Sequence, residues 1–175
     1  MSRTFISLGS NIDPAGNIAA AVDLMRARIE VVAISTVYRT PPIGRPEQED
    51  YYNAVVEART ELELRPLRDE LRRIEDALGR ARSADKYAAR TVDLDILLYD
   101  DRVIRDGDLT IPSPDIAARP FLAAGLCELD RQLVLPGTGQ ALCHLAESLG
   151  TSHMTPLADY TAIVRRSLSC SVPQD

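Results

Sequence analysis

The chain has 175 residues, 45% of them hydrophobic and 26% charged, with 20 Lys+Arg against 26 Asp+Glu and a formal charge of −6. That is one domain's length with enough aliphatic side chain for a core, which excludes global disorder. The acidic balance excludes a general attraction to nucleic acid or to an anionic membrane surface.

The elements follow in chain order. Phe5, Ile6 and Leu8 form a short strand ending at Gly9-Ser10-Asn11. Ile18, Val22 and Met25 recur at helical spacing and predict a helix near 15–28. The β-branched run from Val31 to Tyr38 reads as one strand. The proline-, glycine- and acid-rich stretch 40–50 is a loop, and 53–59 is a second strand. Leu67, Leu71, Ile74 and Leu78 define a helix, with Pro66 in its first turn and Gly79 at its stop.

A basic loop, 80–90, leads into the strand Thr91–Tyr99. There Val92, Leu94, Ile96 and Leu98 point one way; Asp93, Asp95, Leu97 and Tyr99 point the other. Val103 and Ile104 suggest a small added strand, prolines keep 111–120 irregular, and 122–129 and 142–149 read as helices. The core order predicts an α+β fold with a ferredoxin-like βαββαβ core: an antiparallel sheet with helices on one face and added C-terminal helices. Residues 1–150 form the expected domain, and 151–175 an appendage, partly ordered at most.

Three cysteines, Cys127, Cys143 and Cys170, form no CxxC pair, which argues against a disulfide scaffold or a thiolate zinc site. Cys127 and Cys143 read as small apolar fillers. With no signal-peptide core and no 18-residue apolar run, the expected location is cytoplasmic.

The strongest chemical signal is Asp93-Leu94-Asp95. Residues i and i+2 of a strand share a face, roughly 6.5 Å apart, so both carboxylates can serve one polyphosphate-bound Mg²⁺ pair. Two solvated aspartates on an exposed strand are the plainer alternative. Beside them stand Arg80, Arg82, Lys86 and Arg90. Arginine forks match phosphate oxygens, although a solvated loop balanced by Glu75, Asp76 and Asp85 would look the same. Acidic strand plus basic loop suits phosphoryl transfer. Neither a GxxxxGK[ST] run nor the HRD and DFG signatures occur.

A third signal is Tyr38-Arg39-Thr40-Pro41-Pro42-Ile43-Gly44 with Asp50-Tyr51-Tyr52-Asn53. The prolines can wall a flat pocket, Asn53 can read a heterocycle edge, and Phe121 or a tyrosine can stack on it; a turn with a capping asparagine is the alternative. Ser10-Asn11 could equally cap the following helix, and Glu75 could brace Arg82 or Arg80 or stand exposed.

These motifs together resemble the 6-hydroxymethyl-7,8-dihydropterin pyrophosphokinase family of the folate pathway. The matching runs are Ser7–Asn11, Tyr38–Gly44, Tyr51 with Asn53, Arg73-Ile74-Glu75 with Gly79-Arg80 and Arg82, and Arg90–Ile96, in the family's order over about residues 4–135. The resemblance implies an ATP-dependent enzyme that transfers the β,γ-pyrophosphoryl unit of ATP to the pterin hydroxymethyl group and releases AMP.

It further implies that Asp93 and Asp95 hold two Mg²⁺ ions, that Arg80 and Arg90 contact the phosphates, and that Arg82 acts from a mobile loop. Thr40, Pro41, Pro42 and Ile43 would line the pterin pocket, Asn53 would read the ring edge, and Tyr51 and Phe121 would pack on the ring. Arg72 and Glu75 would lie on the nucleotide side, with Ile96, Leu109 and Thr110 near the adenosine. The implied partners are ATP and the pterin, with no nucleic acid and no membrane, and the implied state is a monomer. Two positions depart from the family pattern: Tyr87 stands where a Trp is usual, and Ser113 where a nucleotide-contacting His is usual. A catalytically weak paralogue that binds pterin or nucleotide is the alternative, and a protein-interaction module using the ferredoxin-like sheet is a third reading.

Overall fold

The computed structural model describes residues 1–81, 85 and 87–169. The expected helices and strands are present as β1 (Ser2–Ser10), α1 (Pro14–Arg26), β2 (Glu30–Ile34), β3 (Tyr38–Thr40), β4 (Tyr51–Thr60), α2 (Leu64–Ala77) and β5 (Asp93–Tyr99). They are followed by β6 (Ile104–Asp106), β7 (Leu109–Ile111), a 3₁₀ turn at Pro114–Ala117, α3 (Pro120–Leu129), α4 (Leu142–Leu149), β8 (Thr155–Pro156) and α5 (Ala158–Ser169). The sheet order is β5-β1-β4-β3-β8, with β2 also on β4, and these pairings are antiparallel. The expected α+β, ferredoxin-like arrangement is therefore the one adopted.

Alternation along the strands explains the layers. Ile6 and Leu8 of β1, Ala54, Val56 and Ala58 of β4, and Leu94 and Ile96 of β5 bury one face against α1 and α2. Leu67, Leu71 and Ile74 of α2 meet them, as their spacing predicts. On the opposite face, Phe5, Val55 and Leu97 pack under α3 and α4. Those two helices cover only part of that face; the end bearing Ser7, Gly9, Asp93 and Asp95 opens into a cavity. Gly125 lets α3 approach closely, because a Cβ there would lie 2.8 Å from Val55 Cγ2.

The expected alternation holds to Leu97 and then changes. The β1–β5 register shifts between Phe5 and Ile6. Leu98 consequently joins the α3–α4 side, while Tyr99 turns to the α1–α2 side and donates its hydroxyl to the Leu62 carbonyl at 2.8 Å.

The run expected as one strand, 31–38, is two. The break at Ser35–Val37 leaves backbone groups that the sheet does not pair, and distant side chains take them up. Glu128 accepts the Thr36 N–H at 2.8 Å, and Thr161 Oγ1 accepts the Val37 N–H at 2.9 Å. Leu157 N–H donates to the Val37 carbonyl at 2.8 Å, and Arg165 donates to the Ile34 carbonyl.

All of those partners except Glu128, which is on α3, belong to the segment expected as a loose appendage. Instead, β8 pairs with β3, and α5 buries Val164 in the same core as Met25. The Arg26 guanidinium donates to the Ser167 carbonyl at 2.9 Å. Through residue 169 the tail is integral to the fold; Cys170 and the residues after it lie outside the described ones.

Two cysteine readings also change. Cys127 on α3 and Cys143 on α4 form a disulfide, so they are a cross-link between helices rather than apolar fillers. The two helices are adjacent in the chain and pack side by side, which juxtaposes cysteines 16 residues apart.

Candidate active site

The cavity, about 690 Å³, sits where the end of β1 meets the start of β5. The register places Gly9 beside both Asp93 and Asn53, and Ser7 beside Asp95. All five positions point to the face that α3 and α4 leave uncovered. Gly9 keeps this floor flat, since a Cβ there would stand 2.9 Å from Asn53 Oδ1.

One end of the cavity is charged. Helix α2 ends at Gly79, whose φ of +75° reverses the chain, and the Arg80 N–H donates to the Glu75 carbonyl at 3.0 Å. That turn returns the Arg80 guanidinium onto its own helix, where it donates to Glu75 Oε1 at 2.7 Å and to the Val92 carbonyl at 2.9 Å. It also grips Asp93 Oδ1, while Arg90 grips Asp93 Oδ2. Burial pulls the Arg80 pKa down, but the Asp93 and Glu75 carboxylates more than offset it and hold the guanidinium above the ordinary arginine range. Glu75, 5% exposed, also accepts the Leu94 N–H at 2.8 Å. It braces Arg80 and is buried rather than exposed; Arg82, the other partner the sequence allowed, lies outside the described residues.

Asp95 is placed differently. Its carboxylate opens into the cavity, and no lysine or arginine among the described residues lies within ion-pair distance of it. Its recessed setting, then the neighbouring Asp93 and Glu75 charges, raise its pKa from 3.8 to about 6, with Arg80 opposing. A carboxylate without a cation partner, aimed into a polar cavity beside a second carboxylate, has the donor chemistry of a divalent-cation site. No group of three or more His, Cys, Asp or Glu side chains gathers as a metal site among the described residues. The two aspartates therefore fit a hard cation whose other ligands are water or phosphate oxygen, and not a closed all-protein cage.

The other end is flat and largely apolar. Thr40, Pro41, Pro42 and Ile43 form one wall, with Tyr51, Asn53 and Phe121 around it. Asn53 Nδ2 donates to Thr40 Oγ1 at 2.7 Å, which fixes the amide and leaves Oδ1 toward Gly9. Burial pushes the Tyr51 hydroxyl above its ordinary pKa.

Asn11 links the walls. It is 3% exposed and does not cap α1; no side-chain cap is present there, and Asp13 occupies that position with φ +40°. Asn11 Oδ1 accepts the Arg90 N–H at 2.7 Å, and Nδ2 donates to Gln48 Oε1 at 3.0 Å. Gln48 donates onward to the Tyr87 carbonyl at 2.9 Å. The proline-rich loop and the basic loop are thus tied to the end of β1.

Of the predicted site residues, Thr40, Pro41, Pro42, Ile43, Tyr51, Asn53, Phe121, Arg90, Asp93, Asp95 and Ser113 line this cavity. Arg80 and Glu75 adjoin it through Asp93. Ile96 and Leu109 lie instead in the α1–α2 core, and Thr110 is exposed on β7. Arg72 lies on the outside of α2, 3.7 Å from Asp108. Arg82 and Lys86 fall outside the described residues. Ser113 accepts the Asp115 N–H at 3.3 Å as the cap of the 3₁₀ turn. Tyr87 faces Gly44 across the cavity mouth.

Sequence reasoning missed Arg119 and the short run Ser152–Met154, which also line the cavity. An arginine just ahead of Pro120 could have been found as the only cation flanking Phe121; nothing local marked residues 152–154.

Residues 5–131 match the family model described as 7,8-dihydro-6-hydroxymethylpterin-pyrophosphokinase (HPPK). The 2-amino-4-hydroxy-6-hydroxymethyldihydropteridine pyrophosphokinase of Haemophilus influenzae is 38% identical over 160 residues, covering 90% of this chain and 99% of its own. The protein of the same name from Methylorubrum extorquens is 39% identical over 140 residues, covering 78% and 88%. Folic acid synthesis protein fol1 of Pneumocystis carinii is 34% identical over 161 residues, and this chain spans only 21% of it. Among solved structures, wild-type HPPK-DHPS of Plasmodium falciparum with pteroate has a TM-score of 0.69 at 11% identity; 85% of this chain aligns, spanning 44% of that one. That likeness concerns the fold.

Proposed function

This chain belongs to the 7,8-dihydro-6-hydroxymethylpterin-pyrophosphokinase family, and from that premise we propose how its cavity carries out the reaction. The enzyme is an ATP-dependent pyrophosphokinase of folate biosynthesis. The pterin's hydroxymethyl oxygen bonds to the β-phosphorus of ATP, the bond from that phosphorus to the oxygen it shares with the α-phosphate breaks, and AMP leaves.

The flat end takes the pterin. Asn53 Oδ1, held by Thr40, accepts from the ring's N–H edge. Tyr51 and Phe121 pack on the ring, and Pro41, Pro42 and Ile43 exclude water from it. The charged end takes the triphosphate. Asp93 and Asp95 hold Mg²⁺, which supplies charge neutralisation and orientation of the phosphates when bound. Arg80 and Arg90, already poised on Asp93, exchange that carboxylate for phosphate oxygens, and Arg82 adds to them from the basic loop. Glu75 keeps Arg80 aimed at the cavity. Ser113 lies on the nucleotide side of the cavity; Arg72, Ile96, Leu109 and Thr110 do not line it, and no nucleotide contact is assigned to them.

The observation that carries this reading is that two same-face carboxylates and the flat apolar pocket open into one cavity. Incubation with ATP, Mg²⁺ and 6-hydroxymethyl-7,8-dihydropterin tests it. AMP and a pterin diphosphate are expected, with turnover nearly abolished in Asp93→Ala or Asp95→Ala. A product carrying one added phosphate, or unchanged turnover in those variants, overturns it. Pterin binding without AMP would mark a weak paralogue instead. Among the described residues no helix is long and apolar enough to cross a membrane. A cytoplasmic monomer without nucleic-acid or membrane partners is the accompanying proposal.

A further inference from the structure

The tail reaches the cavity by a route the reaction scheme above does not use. Strand β8 pairs with β3 so that Arg39 meets Thr155 and Tyr38 meets Pro156. One step further along that antiparallel register, at the end of β3, Met154 falls beside Thr40. The cavity lining agrees, since Ser152, His153 and Met154 all border it together with Thr40, Pro41 and Pro42. The tail segment therefore borders the cavity next to the wall assigned to the pterin.

Its position is built in. The Met154 N–H donates to the Thr151 carbonyl across a turn in which His153 has φ +64°. Immediately after it, Leu157 and Thr161 are bonded to both backbone groups of Val37, the residue before β3. Within 151–156 Met154 is the one half-buried side chain, and the others are exposed. An unbranched, polarizable thioether adapts well to the face or edge of a flat heteroaromatic ring.

We propose that Met154 is a substrate-contacting residue that closes the pterin end of the cavity and sets affinity for the heteroaromatic ring, without acting on phosphoryl transfer. This rests on the pterin assignment of the Thr40–Ile43 wall. It assigns a binding role to a segment beyond residue 131, where the family match ends.

The test compares Met154→Ala, Met154→Leu and Asn53→Ala in the full chain. The readouts are kcat, separate KM values for pterin and ATP, and direct titration with 6-hydroxymethyl-7,8-dihydropterin alongside a non-hydrolysable ATP analogue. Met154→Ala is expected to raise the pterin KM and dissociation constant about 5- to 20-fold, the scale of a lost apolar contact. The kcat and the KM for ATP should stay within about twofold, and Met154→Leu should restore pterin affinity to within about twofold. Unchanged pterin affinity in Met154→Ala, or a fall in kcat with pterin affinity intact, overturns the proposal. The Asn53→Ala arm separates the two levels. If it weakens pterin binding while Met154→Ala does not, the Met154 assignment alone fails. If neither weakens it, the pterin assignment of the cavity fails.

Discussion

Glu75 Oε1 accepts the backbone N–H of Leu94 at 2.8 Å, so a carboxylate on α2 fixes the residue that separates Asp93 from Asp95. The same oxygen accepts from Arg80 at 2.7 Å. One buried side chain thus sets both the strand position of the aspartates and the direction of an arginine.

Replacing it has two graded outcomes. Glu75→Ala leaves a buried N–H unpaired and a guanidinium without one of its carboxylates, and is expected to cost about 3 kcal/mol. Glu75→Gln retains an acceptor and is expected to cost about 1 kcal/mol. Urea unfolding measures both. Turnover should fall in the same order, because Arg80 loses its brace. Equal stability of the two variants would mean that the carbonyl acceptor contributes little.

Asp95 illustrates a site that opposes stability. Its folded pKa, about 6, lies above the ordinary 3.8, so between those values the folded state holds the proton more tightly than the unfolded chain does. Metal-free protein therefore loses stability as pH rises through that window, and the loss is complete above it. Asp95→Asn removes this contribution. Its melting temperature, relative to the parent in chelator-treated buffer, should be near parity at pH 4 and higher above pH 6. Because the carboxylate is open to the cavity, screening limits the gain to about 1 kcal/mol, or about 2–4 °C. Turnover is lost in the same variant. A melting difference independent of pH would contradict the assignment.

Asn11 supports a third prediction. Its amide is the link between the Arg90 backbone and Gln48. Asn11→Ala removes the acceptor of the Arg90 N–H and the side-chain hydrogen bond to Gln48, so the Arg90 backbone is held less firmly at the phosphate end, while the Gln48–Tyr87 contact and the Arg90–Asp93 ion pair remain. The KM for ATP is expected to rise about tenfold, the scale of a lost buried hydrogen bond. Kinetics at saturating pterin check this; an unchanged ATP KM would leave Asn11 a purely local support for the end of β1.

What could be read from the sequence was what depends on local spacing. The period of Leu67, Leu71, Ile74 and Leu78 located α2, and the alternation around Asp93 and Asp95 put both carboxylates on one face. Both features survive in the fold because each residue's neighbours along the chain decide its side. Features imposed by distant partners were not legible. Val31 to Tyr38 looks uniform, and its break depends on Glu128 and Thr161, which lie about a hundred residues away in the chain. The turn of Tyr99 depends on a register shift against Phe5 and Ile6. Met154 carries no local signature, because its place beside Thr40 is set by the pairing of two-residue β8.

The Cys127–Cys143 cross-link provides the last prediction. It joins the helix whose first turn supplies Phe121 to the helix that buries Leu142 and Leu145 beneath it. Closing a separation of 16 residues constrains the unfolded chain by about 3 kcal/mol in the loop-entropy picture. Cys143→Ser, or reduction of the parent protein, should therefore lower the melting temperature by about 5–10 °C. Phe121 lies at the opposite end of α3 from Cys127 and is held by the Leu122, Ala123 and Leu126 packing, which the substitution leaves in place. The pterin KM at 25 °C should accordingly stay within about twofold. Differential scanning calorimetry with and without a phosphine reductant, followed by steady-state kinetics on the reduced protein, separates the two effects. A loss of pterin affinity on reduction would show that the cross-link positions the cavity wall as well as stabilising the helix pair.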